Sequence, residues 1–211
     1  MMAGRVKPGA SLALVSGGVL ILLAAMAFDT KVVKIGSAGS AETGVFSPAT
    51  YGKTKFPQVQ AAVEGRAVDA ATLAAALSKD QAAAEKQYGV AADAGPEISV
   101  KFTGNAGTQD SGVYEIAVAG VPATQHITVQ TGPAISGTDL RDATNKITFG
   151  QFTNQIDYQN AGSALNKEMK KEVLSKVDTD NLTGKTISVV GVFQLTDPGT
   201  WLVTPVKLDV Q

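Results

Sequence analysis

Ile98-Ser99-Val100-Lys101-Phe102-Thr103 sets an apolar side chain at every second position, which is the period of a strand with one face in a core. A turn bearing Gly and Asn follows, and 113–118 resumes the alternation with Tyr114, Ile116 and Val118. Residues 120–123 make another turn, and 126–131 read as a third strand, completing a meander. Beyond a loop at 132–142 the period lengthens. Phe152, Ile156, Leu165, Met169, Val173 and Val177 predict a long helix over 151–177, with a phase slip around 160–162. Residues 187–195 and 201–210, separated by Asp197-Pro198-Gly199, are the last two strands. Three strands, a helix and two strands is the order of an oligonucleotide/oligosaccharide-binding (OB) fold. The expected class is α+β: a small antiparallel OB-like barrel over 96–211.

Upstream, Asp69 is a candidate N-cap for a helix through Leu73 and Leu77 to Tyr88, with Gly89 as the C′ residue. A shorter helix is expected over 56–66, from Val59 and Val63, after a Ser47-Pro48 turn signal. With an extended piece at 32–35, these form a connector and helical addition over 31–95.

Residues 1–30 read as a signal peptide or membrane anchor. The run from Pro8 to Phe28 is uncharged, follows Arg5 and Lys7, and centres on Val19-Leu20-Ile21-Leu22-Leu23. About 20 such residues span a hydrocarbon core, and positive charge on the N-terminal side keeps that side cytoplasmic. Ala25-Met26-Ala27 fits a signal peptidase site. The soluble part is therefore expected on the periplasmic side of the cytoplasmic membrane, anchored or released after cleavage near Ala27. The absence of cysteine removes a lipidated residue, disulfides, thiolate nucleophiles and cysteine-ligated metals.

A formal net charge of −1 gives no basic balance for nucleic acid. Gly184-Lys185-Thr186 lacks the earlier glycine of a phosphate-binding loop, where Thr179 stands. No Gly-x-Ser-x-Gly occurs, and His126 is the only histidine, so a conventional triad or two-histidine metal site cannot be built. No enzyme, cofactor or metal is expected on these grounds.

Two stretches concentrate chemistry. In 132–142, Thr138, Asp139, Arg141 and Asp142 put a hydroxyl, two carboxylates and a guanidinium into one Gly/Pro loop. Arg141 is suited to a bidentate ligand contact oriented by Asp139 and Asp142. The competing reading is a structural loop in which Arg141 pairs with one of those acids. In 149–159, aromatics alternate with amides, and Asn154, Gln155 and Tyr158 are candidates for contact with a hydroxylated ligand. The competing reading places Phe152 and Ile156 in the core and has the polar residues satisfy buried groups.

These stretches, with Gly137-Thr138-Asp139-Leu140-Arg141-Asp142-Ala143, Phe152-Thr153-Asn154-Gln155-Ile156-Asp157-Tyr158 and Ala164-Leu165-Asn166, also carry a resemblance. Phe46-Ser47-Pro48, Lys86-Gln87-Tyr88-Gly89 and Gly191-Val192-Phe193 add to it. The exported part resembles domain-of-unknown-function family 2291, the predicted periplasmic lipoproteins. Thr30 stands before Lys31-Val32-Val33, where lipoprotein members carry the lipidated cysteine. The resemblance implies an accessory role near ribose-type sugar transporters and brings no catalytic residues to carry over. Expected partners are the inner membrane and sugar ABC transporter components. The alternatives are an envelope structural or interaction protein and a carboxylate-dependent saccharide-acting enzyme using Asp139 and Asp142 or Asp157.

Overall fold

The computed structural model describes residues 46–211 apart from Asp93; the leader and the extended piece at 32–35 lie outside the described residues. Phe46–Gln211 forms one compact unit. Its helices are α1 (Pro48–Arg66), α2 (Ala70–Lys79), α3 (Gln81–Tyr88), α4 (Asp139–Asp142) and α5 (Gln155–Glu172). Its strands are β1 (Val68–Asp69), β2 (Gly89–Val90), β3 (Glu97–Asp110), β4 (Val113–Val118), β5 (His126–Gln130), β6 (Thr186–Gln194) and β7 (Thr200–Val210).

β3 organises the sheet because it is long enough to pair twice. Its N-terminal part runs antiparallel to β6, from Glu97↔Gln194 to Asn105↔Thr186. Its C-terminal part runs antiparallel to β4, from Gly104↔Val118 to Asp110↔Val113, with a register shift between Ala106 and Gln109. Pairings lead on from β4 to β5, β7 and β6, and β6 returns to β3. The predicted order of three strands, helix and two strands is observed, but the sheet is not wholly antiparallel. β5 and β7 pair in parallel, from His126↔Thr200 to Val129↔Val203. The long crossover through α5 and β6 supplies the connection that a parallel pair requires.

The first strand is longer than its alternation showed. Gly104, Asn105 and Gly107 lie within β3 rather than in a turn, and the chain reverses at Ser111 (φ 52°) and Gly112 (φ 83°). Two successive positive-φ residues give a tight hairpin whose twist matches the strands.

The N-terminal helices also differ from their reading. Pro48 occupies the first turn of α1, where a missing N–H costs nothing, and Pro57 is carried inside the helix. α1 therefore begins eight residues earlier than 56. Phe56, Val59 and Val63 form its buried face. Where α1 crosses α5, a Cβ on Gly52 would lie 2.5 Å from the carbonyl oxygen of Ala164, so only glycine permits this approach. Asp69 caps α2 as expected, accepting from the N–H groups of Ala71 and Thr72. The helix to Tyr88 is interrupted at Asp80, whose carboxylate caps α3 through the N–H of Ala83. Gly89 ends α3 with extended backbone (φ −81°).

The core lies between the sheet and the α1/α5 layer. Trp201 stacks on Phe193 at 4.9 Å, and both are fully buried. Tyr114 is also buried, and its hydroxyl accepts the N–H of Leu182 at 3.3 Å. α5 is shorter than predicted, with one-turn 3₁₀ segments at Phe149–Gln151 and Leu174–Lys176.

A Cβ on Gly112 would fall 1.0 Å from the carbonyl oxygen of Gly132, in a backbone region that L-residues avoid. Gly112→Ala should therefore cost about 3 kcal/mol or more in urea unfolding. Gly150→Ala, with nothing within 4 Å, should change stability by about 0.5 kcal/mol or less. Equal midpoints for the two variants would contradict this packing.

Candidate functional site

The loop after β5 is held by backbone geometry and by one side chain. Gly132 (φ 110°) precedes a cis peptide to Pro133, and Gly137 (φ 85°) turns the chain into α4. Gln130 ties the loop to the sheet: its amide oxygen accepts the N–H and the hydroxyl of Ser136 at 3.0 and 3.1 Å. Its amide nitrogen donates to the hydroxyl oxygen of Thr204 at 2.9 Å. From the helix layer, Asn166 of α5 donates to the carbonyl of Gly137 at 3.1 Å. Leu140, fully buried, anchors α4 in the core.

Within α4, Arg141 is buried and turned along its own turn. Its Nε and Nη2 donate to the two oxygens of Asp142 at 2.7 and 2.8 Å. The Thr138 hydroxyl donates to Asp142 Oδ2 at 2.7 Å. The guanidinium lies over the ring of Tyr158, 3.9 Å from its centroid, an attractive placement on the ring's negative face. The pairing with Asp142 is thus the arrangement that the structural reading of this loop anticipated. Asp139 is engaged on the sheet side, where its Oδ2 accepts from Thr204 at 2.7 Å.

The sequence reading missed Glu97, which the sheet delivers to the same cluster from the first position of β3. It is 1% exposed. One carboxylate oxygen accepts from Gln194, its cross-strand partner, at 3.3 Å, and the other has no hydrogen-bond partner. Burial, followed by the charges of Asp139 and Asp142, pushes the Glu97 carboxyl up to about 9. Burial likewise raises Asp139 to about 6, against the hydrogen bond from Thr204. Three acids thus lie close together with the one guanidinium paired to Asp142, and Glu97 is held neutral at pH 7.

The second stretch divides. Asn154 is exposed and caps α5, accepting the N–H of Asp157 at 2.9 Å and donating to its carboxylate at 3.0 Å. Gln155 is exposed beside it. Neither satisfies a buried group of the sheet, contrary to the structural reading of this stretch. Ile156 is 68% exposed and not core. Phe152 is half-buried in a row of rings running Phe46, Tyr51, Phe152, Tyr158 and Phe149, with successive centroids 5.3 to 5.8 Å apart. Tyr158 joins the two stretches, its ring lying under Arg141. Among the described residues no group of His, Cys, Asp or Glu could hold a metal ion, and no helix is long and apolar enough to cross a membrane.

A cavity of about 250 Å³ opens beside this cluster, lined by Ala91, Ala92, Asp142, Asn145, Ile147, Thr148, Phe149 and Tyr158. Asp142 forms part of its wall while its oxygens are engaged by Arg141 and Thr138. The Phe149 ring is half-exposed, and Asn145 holds a positive φ of 51°.

A family model described as predicted periplasmic lipoprotein, DUF2291, matches residues 18–209. The chain belongs to the DUF2291 family. An OB-fold protein from Thermotoga maritima, known from a crystal structure, resembles it at a TM-score of 0.63 with 19% identity. That likeness covers 79% of this chain and 99% of the other, and it shows the fold alone. No curated protein matches. The described part of this DUF2291 chain is thus a mixed α+β unit with an OB-like sheet. The family description names a lipoprotein, whereas this member has no cysteine to carry a lipid.

Glu97 and Asp139 make stability fall with pH. Their folded-state pKa values lie above the unfolded ones, so the folded state holds extra protons as pH rises from about 4 to about 9. Each such proton lowers stability by up to about 1.4 kcal/mol per pH unit. Glu97→Gln should therefore gain on the wild type steadily between pH 5 and pH 8 in denaturant titrations. Parallel stability–pH curves for the two proteins would rule out a neutral Glu97.

Proposed function

We propose that this DUF2291 member is an exported, membrane-associated binding or accessory module without catalytic activity, engaging a small hydroxylated solute in service of sugar import. The observation that carries the reading is the cavity beside Phe149, lined also by Asn145, Thr148 and Asp142. An exposed aromatic face takes the C–H face of a sugar ring, while amide and hydroxyl groups at its rim exchange hydrogen bonds with ring hydroxyls. Its volume of about 250 Å³ falls just under the about 300–1,000 Å³ of drug-sized sites, which favours a single ring over an oligomer. The family description supports a periplasmic setting. The uncharged run from Pro8 to Phe28 supports membrane attachment, retained or cut near Ala27. Components of a sugar ABC transporter are the proposed partners.

A second reading, an envelope interaction protein, draws on the exposure of Phe149 and Ile156. The two differ in a thermal-shift panel of monosaccharides on the full chain. Solute binding predicts a rise in melting temperature that Phe149→Ala abolishes without lowering the unliganded value. No shift across the panel, together with recovery of a permease by crosslinking from membranes, would replace it with the interaction reading.

A further inference from the structure

On the other side of α4, a groove of about 670 Å³ runs between α5 and the loop that follows β5. Its walls have different chemistry. The loop contributes Pro133, Ile135 and Gly137, and α5 contributes Ser163, Asn166, Lys167, Lys170 and Lys171. Ser163, Asn166, Lys167 and Lys170 recur at the three- and four-residue spacing that puts them on one face of the helix.

The lysines are not equivalent. Lys171 is neutralised by Glu168 and Glu172 at 2.9 and 2.8 Å. Lys170 donates to the carbonyl of Pro133, a neutral acceptor, so its ammonium is held at the loop wall with its charge uncompensated. Lys167 is exposed and makes no ion pair or hydrogen bond with a described residue. Two uncompensated ammonium groups therefore face a concave site with an apolar opposite wall. Concave low-dielectric walls focus such a potential and concentrate anions.

We propose that this groove is an oxyanion-binding site, taking a phosphate-type group between Lys167 and Lys170 with any apolar portion against Pro133 and Ile135. Ser163, exposed on the same face, supplies a hydroxyl for a remaining oxygen. The site is separate from the cavity at Phe149 and stands whether or not that cavity binds a sugar.

The test is calorimetric titration of the full chain in a non-ionic detergent with inorganic phosphate, then with dihexanoylphosphatidylglycerol below its micellar concentration. Saturable binding is expected, weakened at least tenfold by Lys167→Glu and at least threefold by Lys170→Gln. Lys207→Gln, which alters an exposed lysine paired with Asp209, should leave it unchanged. Lys167→Glu should melt with the wild type, since Lys167 holds nothing in place. Tenfold tighter binding of the lipid than of phosphate would identify a headgroup site using the apolar wall, and equal affinity a site for a free oxyanion. Absence of saturable binding to both probes would overturn the proposal, as would equal losses from Lys167→Glu and Lys207→Gln.

Discussion

The fork between Arg141 and Asp142 is the interaction on which the rest of the site depends. It closes α4 upon itself, receives the Thr138 hydroxyl, and presents the guanidinium to Tyr158 of α5. A buried ion pair is a weak source of net stability, because desolvation offsets most of its attraction. What it supplies is position. With both oxygens of Asp142 committed, its part of the cavity wall is held in place, and α4 is tied to the helix layer. The sheet side is fixed separately, through Asp139 to Thr204 and Thr204 to Gln130. The four-residue α4 thus bridges the two layers although it is too short to be stable alone.

This arrangement concentrates negative charge. Asp142 uses the guanidinium, Asp139 has the Thr204 hydroxyl and a backbone N–H, and Glu97 has a single long hydrogen bond from Gln194. Protonation relieves the excess, which is why burial raises both Glu97 and Asp139. Its hydrogen bonds tie β3 to β6 and α4 to β7.

Much of the fold was legible because β3, β4, α5, β6 and β7 each repeat their apolar residues at the proper period. The failures have local causes. Gly104 and Gly107 read as turn residues, yet both lie within β3: Gly104 pairs with Val118 on one side and Ile187 on the other, and Gly107 falls in the register shift between Ala106 and Gln109. Besides Leu165, Asn166 and Met169, α5 buries Ala161, Gly162 and Ala164, and these small side chains leave little hydrophobic signal, so Ile156 was assigned to the core in their place. In the site, the 138–142 turn stood out because its charges are adjacent in sequence. Glu97 did not. It opens a strand whose other residues announce themselves, and its meaning comes from a cross-strand partner and a turn far along the chain. Asn154 was read as a ligand or buried-group contact, although Asn ahead of a helix, with Asp three residues on, is the pattern of a cap.

A double-mutant cycle on Arg141→Met and Asp142→Leu, read by urea unfolding, tests the central claim most directly. Each single variant strands the other's buried charge, so each should lose about 3–5 kcal/mol. The double variant should recover part of that loss, giving a coupling energy of about 1.5–3 kcal/mol. Additive losses, with coupling near zero, would contradict the claim that this pair sets the site.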